Sequence, residues 1–180
     1  MPQEAPAQPA GPAGAGGASG EPAGPAAGAG GGSGAKHQVT ARTKARRRAV
    51  EVLFEADQRG LLLSGPGLLD FAEERFVTSA NHTQAPAYTR RIVEGVAEHL
   101  AGIDEAIETY AQGWSLSRMP AVDRAIARVA AWEIIHNDEV DPPVAVDEAV
   151  TLSRMLSTDD SPRYLNGLLG RIGDLSETLR

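Results

Sequence analysis

Between residues 36 and 48 the chain places Lys36, Arg42, Lys44, Arg46, Arg47 and Arg48, with no acid among them. Cations at a helix start oppose the macrodipole, at a cost of a few tenths to about 1 kcal/mol each. Stability therefore does not explain the cluster, whereas a phosphate ligand does, through guanidinium forks and the helix end itself. The bland alternative is a solvated charged face. A second group is Asp159-Asp160-Ser161-Pro162-Arg163-Tyr164, which brings helix-start amides, a cation and an aromatic face together. That combination suits an unstacked base, although a tyrosine one turn into a helix also serves as half-buried packing. Asp160 has two compatible roles, accepting from a base amino group and capping the helix that follows. Asp123 and Glu133 lie on nearly one helix face but about 15 Å apart, too far for paired acid–base work.

Catalytic patterns are missing. The glycines of the N-terminal segment precede no strand and no Lys-Ser or Lys-Thr, so they form no phosphate loop. His37, His82, His99 and His136 are scattered without metal-ligand spacing, and no elbow motif frames a serine. No enzyme, metal or cofactor is expected, and the chain reads as a binding module.

Helices must position these groups. The first is expected from Arg42 to Arg59, ending at Gly60, with Ala45, Ala49, Val52, Leu53 and Ala56 as its apolar stripe. This stripe aims Arg46 and Arg47 outward. A short helix should start at Pro66. After a loop over residues 81–85, the run Ile92, Val93, Val96, Leu100, Ile103, Ile107 and Tyr110 makes one long helix or two meeting at Gly102. Further helices open at Pro120, at Pro142-Pro143 and at Ser161-Pro162, since proline in the first turn loses no hydrogen bond. No stretch alternates like a strand, so the fold class is all-α. Gly167 is expected to permit close helix packing and Asn166 to make a structural hydrogen bond.

The chain has 180 residues, a formal net charge of −7 and no cysteine, which rules out disulfides and thiolate metal sites. Residues 1–36 are mostly Ala, Gly and Pro and hold too little apolar surface to offset an ordering entropy of roughly 1–2 kcal/mol per residue. They read as a disordered tail, and residues 37–180 as one helical domain. No signal peptide is apparent and no apolar run approaches the roughly 20 residues that span a bilayer, so a cytoplasmic protein without membrane contact is expected. An acidic body with one basic end points to a local polyanion contact.

The segment Met119-Pro120-Ala121-Val122-Asp123-Arg124-Ala125-Ile126 and the run PPVAVDEAVTLSRMLSTDDSPRYLNGLLG from Pro142 to Gly170 resemble the NusB family of bacterial transcription antitermination factors, of the actinobacterial type. The resemblance is colinear and covers nearly all of residues 40 to 173. It implies the NusB fold, two small helical bundles packed together. It implies RNA binding through the arginine-rich first helix, here Arg42, Lys44, Arg46, Arg47 and Arg48, together with Asp160 and Tyr164. The implied partners are single-stranded boxA RNA, the ribosomal small-subunit protein NusE and the transcribing RNA polymerase, with the outcome of suppressed termination and supported ribosomal-RNA synthesis. Phe54 and Asp123 match positions at the NusE interface. Asp123 is there an exposed acid facing a basic partner, and Phe54 has a core role as its alternative. Tyr164 stands where the family usually has Phe, and Leu165 and Leu168 where it has a Val pair. Oligomeric state stays open, a homodimer included. The alternative function is a helical interaction or dimerisation module without RNA binding.

Overall fold

Proline and threonine set most of the helix starts. Thr40 opens α1 (Ala41–Gln58) in a capping box: its hydroxyl accepts from the Thr43 amide at 3.0 Å, and the Thr43 hydroxyl accepts from the Thr40 amide at 3.3 Å. Pro86 and Pro120 cap α3 (Ala87–Tyr110) and α4 (Ala121–His136) from outside, while α5 (Pro142–Leu156) and α6 (Ser161–Asp174) carry proline in their first turn. Gly60, at φ +71°, stops α1 in the left-handed region where a Cβ is penalised. Also present are α2 (Gly65–Val77), a 3₁₀ turn at Leu116–Arg118 and a four-residue α7 (Ser176–Leu179). The last two carry too little periodicity to be seen in the sequence.

This computed structural model describes residues 39–61, 65–77 and 84–180. The tail reading of residues 1–36, the cations Lys36 and His37, and part of the 81–85 loop lie outside the described residues. Within them every regular element is helical, as expected, and α3 runs unbroken through Gly102, where nothing lies within 4 Å of an added Cβ.

The core is organised around α4. From Ala125 to Ile135 every residue of this helix is buried, as a helix that other elements enclose must be. α1, α3, α5 and α6 all pack against it, and α2 leans on α3 and α1. Leu53, Ile92, Ile103, Ile126, Ile134, Leu152, Leu165 and Leu168 are fully enclosed in one continuous cluster. α3 and α4 meet tightly at Gly95, where an added Cβ would sit 2.1 Å from Trp132 Nε1. Gly95, not Gly167, is the glycine that lets helices meet. An added Cβ at Gly167 would meet nothing nearer than Arg171 Nη1 at 3.7 Å. No described helix is long and apolar enough to cross a membrane.

Candidate nucleic-acid interface

The first turn of α1 contains no acid, and Arg42 and Lys44 from it and Arg47 from the second turn project into solvent. Arg42 reaches Glu139 only at 4.0 Å, and Arg47 pairs with Glu51 four residues on at 3.1 Å. Exposed pairs of this kind bind weakly, so both guanidiniums remain available to a stronger anion. Lys44 has no partner among the described residues. Arg48 is more committed: it touches Glu51 at 3.3 Å and donates to the Arg75 carbonyl of α2 at 2.9 Å.

Arg46 departs from expectation. The apolar stripe does not aim it outward; it is 2% exposed. Its Nε donates to both Glu133 oxygens at 2.9 Å, and its Nη1 lies 3.5 Å from Glu148. Thr43 donates to Glu148 at 3.2 Å, and the Tyr88 hydroxyl donates to Glu133. Asn137 donates to Tyr88 in turn, at 3.1 Å. Two guanidiniums approach the Tyr88 ring, Arg42 at 4.9 Å and Arg46 at 5.6 Å from its centroid. Burial works against the Arg46 charge, but the Glu133 hydrogen bond and the charges of Glu133 and Glu148 more than offset it and hold its pKa above the ordinary value. Burial and the Glu133 carboxylate push the Tyr88 phenol well up. Arg46 therefore ties α1 to α3, α4 and α5, and offers no free fork to a ligand. The reason for the misreading is narrow. One lone acid, Glu133 within Ala-Trp-Glu-Ile-Ile, lies on the inward side of α4, and a buried acid demands a buried cation. That acid was the signal for Arg46.

Asp123 departs in the same sense. It is 0% exposed, and its Oδ2 accepts from Ser161 Oγ at 2.7 Å. Since Ser161 spends its only hydroxyl hydrogen on Asp123, it accepts from Ser157 at 3.0 Å and from Thr158 at 2.9 Å. Asp123 thus anchors the α5–α6 turn to the start of α4 from within and presents no carboxylate to a partner surface. Asp160, at the N-cap position of α6, makes no side-chain capping bond and is exposed. Phe54 is half-buried against the core. Asn166 is exposed and makes no side-chain hydrogen bond among the described residues, contrary to the expected structural role.

Tyr164 is half-buried, its ring 5.0 Å from that of Trp114 at an angle of 48°. Its hydroxyl donates to the Trp114 carbonyl at 3.3 Å. Burial raises its pKa, with Arg171 partly offsetting. Trp114, 37% exposed in the loop after α3, is a second ring at this site that the sequence alone did not single out. The described residues contain no group of three ligating side chains placed to hold a metal.

The NusB family model matches residues 43–174. Transcription antitermination protein NusB of Beutenbergia cavernae is 53% identical over 145 residues, covering 79% of this chain and 95% of that protein. The Arthrobacter sp. protein of the same name is 51% identical, covering 78% and 98%. Among solved structures, T. maritima NusB superposes with a TM-score of 0.64 at 29% identity, covering 75% of this chain and 92% of that one. A chain from a complex of the antitermination factors NusB and NusE with dsRNA superposes with a TM-score of 0.58 at 25% identity, covering 74% and 96%. The α-helical fold around α4, the cationic start of α1 and these matches lead to one conclusion: the chain belongs to the NusB family of transcription antitermination factors.

Proposed function

We propose that this protein binds single-stranded boxA RNA together with NusE and, through that assembly, joins transcribing RNA polymerase to suppress termination during ribosomal-RNA synthesis. One observation carries the reading: the start of α1 holds Arg42, Lys44 and Arg47 in solvent, with no acid in its first turn and only weak, exposed pairs from Arg42 to Glu139 and from Arg47 to Glu51. These cations contact phosphates, while Tyr164, Trp114 beside it and the exposed Asp160 meet bases. Arg46 contributes by fixing α1 against the body, not by touching RNA. Arg48 straddles the two roles. Phe54, half-buried on α1, contributes to the NusE-facing surface, while Asp123 acts from within the fold by holding the α5–α6 turn. The relative solved with NusE and dsRNA supports both partners.

The test is fluorescence anisotropy with a boxA-like single strand and a scrambled strand, each with and without NusE, over a salt series. Phosphate contacts give a linear fall of log affinity with log salt, at roughly 0.7 per contact for single strands. NusE should tighten binding to boxA more than to the scrambled strand. Equal affinity for both strands, with no response to NusE, refutes the proposal.

A further inference from the structure

A groove of about 380 Å³ runs between the start of α5 and the end of α6, at the opposite end of this helix pair from the α5–α6 turn. Pro142, Pro143 and Val146 line it from α5, and Gly170 and Gly173 from α6. The two glycines differ. Gly173 is packed, since a Cβ there would lie 3.5 Å from the Pro142 Cβ. At Gly170 nothing lies within 4 Å of an added Cβ, so no contact inside the chain offsets the helix propensity that glycine forfeits. Beside the lining residues, Val144 is 48% and Leu175 40% exposed, which adds apolar surface next to both walls.

We infer that this groove docks a cationic segment of a partner protein, one that lays an aliphatic side chain over Gly170 between flanking lysines or arginines. Charge complementarity selects the occupant. Asp147 and Asp174 stand on the two walls, both exposed and neither in a hydrogen bond or ion pair among the described residues. The end of α6 adds the negative pole of its dipole. Arg171, the cation of that last turn, is committed to the Tyr110 carbonyl at 2.9 Å. An anion is disfavoured, because Pro142 and Pro143 remove two of the amides that a helix start would offer it. The groove also opens on a different face of α5 from the one that meets α1. Val146 is two residues, or about 200°, from Glu148, which accepts from Thr43. A protein segment can therefore sit here while the cations of α1 stay free for RNA.

The probes are the peptide Lys-Lys-Leu-Lys-Lys, its acidic counterpart Glu-Glu-Leu-Glu-Glu, and Lys-Lys-Ser-Lys-Lys, each titrated into the full chain labelled with nitrogen-15. The first should saturate and shift the amide resonances of Val146, Gly170 and Gly173, while the other two bind several-fold more weakly. Gly170→Leu fills the groove from a position with open space, so the melting midpoint should hold or rise by about 1–4 °C while the peptide shifts vanish. If the leucine variant melts early, Gly170→Ala serves as the smaller block and should weaken the peptide. Asp147→Asn/Asp174→Asn should weaken it several-fold at low salt and little at high salt. Affinity for single-stranded RNA should be the same in the parent and in all these variants. Equal binding of the three peptides, or shifts that survive Gly170→Leu, overturns the docking site. Groove resonances that move on dilution of the chain alone assign the groove to a second copy and overturn the cationic partner. Loss of RNA affinity in a folded Gly170→Leu protein gives the groove to RNA and overturns it as well.

Discussion

Replacing Arg46 by alanine should unfold the protein before it weakens RNA binding. The Arg46, Glu133 and Glu148 side chains are 3%, 1% and 8% exposed. Alanine leaves two buried carboxylates without their shared guanidinium, and the hydroxyls of Tyr88 and Thr43 that donate to them carry no charge. Removing one partner of a buried ion pair costs about 3–5 kcal/mol, far more than the pair itself contributes to stability. At about 2–4 °C per kcal/mol for a domain of this size, the thermal midpoint should fall by roughly 6–20 °C. Arg47→Ala is the control. That side chain is 49% exposed and its Glu51 pair spans one turn, so the loss should stay near 0.5 kcal/mol. Circular-dichroism melts measure the first quantity, and anisotropy with single-stranded RNA, well below the melting range, measures the second. The Arg46 variant should keep the parental salt slope in its folded fraction, while Arg47→Ala should lose about 0.7 of it. An Arg46→Ala protein that melts normally and loses salt slope refutes the buried-anchor assignment and returns Arg46 to the RNA surface.

Asp123→Lys should destabilise by at least about 3 kcal/mol in a urea melt, since it places an unpaired cation against buried Ser161, while Asp123→Asn should cost less because it keeps an acceptor. Gly95→Ala should cost about 1–3 kcal/mol and shift the buried Trp132 emission to the red, because the added methyl would overlap the indole. His99 and His136 stack with centroids 3.9 Å apart, and burial, then His99, lowers the His136 pKa in the folded state. The unfolded chain therefore binds that proton more readily, so stability is fully present above about pH 6.5 and declines below it. His136→Asn should flatten the midpoint-versus-pH curve there. Tyr164→Ala should weaken RNA binding by about 1–3 kcal/mol with the salt slope nearly unchanged, a signature of lost stacking that titration at two salt concentrations resolves.

The helices were legible because their punctuation is local. Pro86, Pro120, Pro142 and Pro162 mark starts and Gly60 marks a stop, each through its own backbone. What a side chain faces was less legible. Arg46 and Arg47 are neighbours in one cationic run, yet one is enclosed and the other solvated. The difference rests on Glu133 and Glu148, which reach Arg46 from two other helices. Asp123 looked like an exposed acid at a partner interface, whereas it is buried against a serine 38 residues away. Gly95 carried no pattern at all, because its necessity comes from the indole packed on it. Propensity reads along the chain, whereas pairing is settled across it.

The long sequence separation around Arg46 also bears on how the chain matures at the ribosome. Its carboxylate partner on α4 lies 87 residues downstream, and the hydroxyl of Thr43 must wait 105 residues for Glu148. At a synthesis rate of about 5–20 residues per second, α1 is outside the exit tunnel for several seconds before either arrives. During that interval it is a cationic segment beside a surface of ribosomal RNA, and no nascent intermediate lacking α4 can give Arg46 its Glu133 partner. Arrival of α4 is then the step that draws Arg46 inward, Glu148 of α5 completes its enclosure, and Arg42, Lys44 and Arg47 stay outside. Translation itself thereby sorts structural from ligand-facing charge.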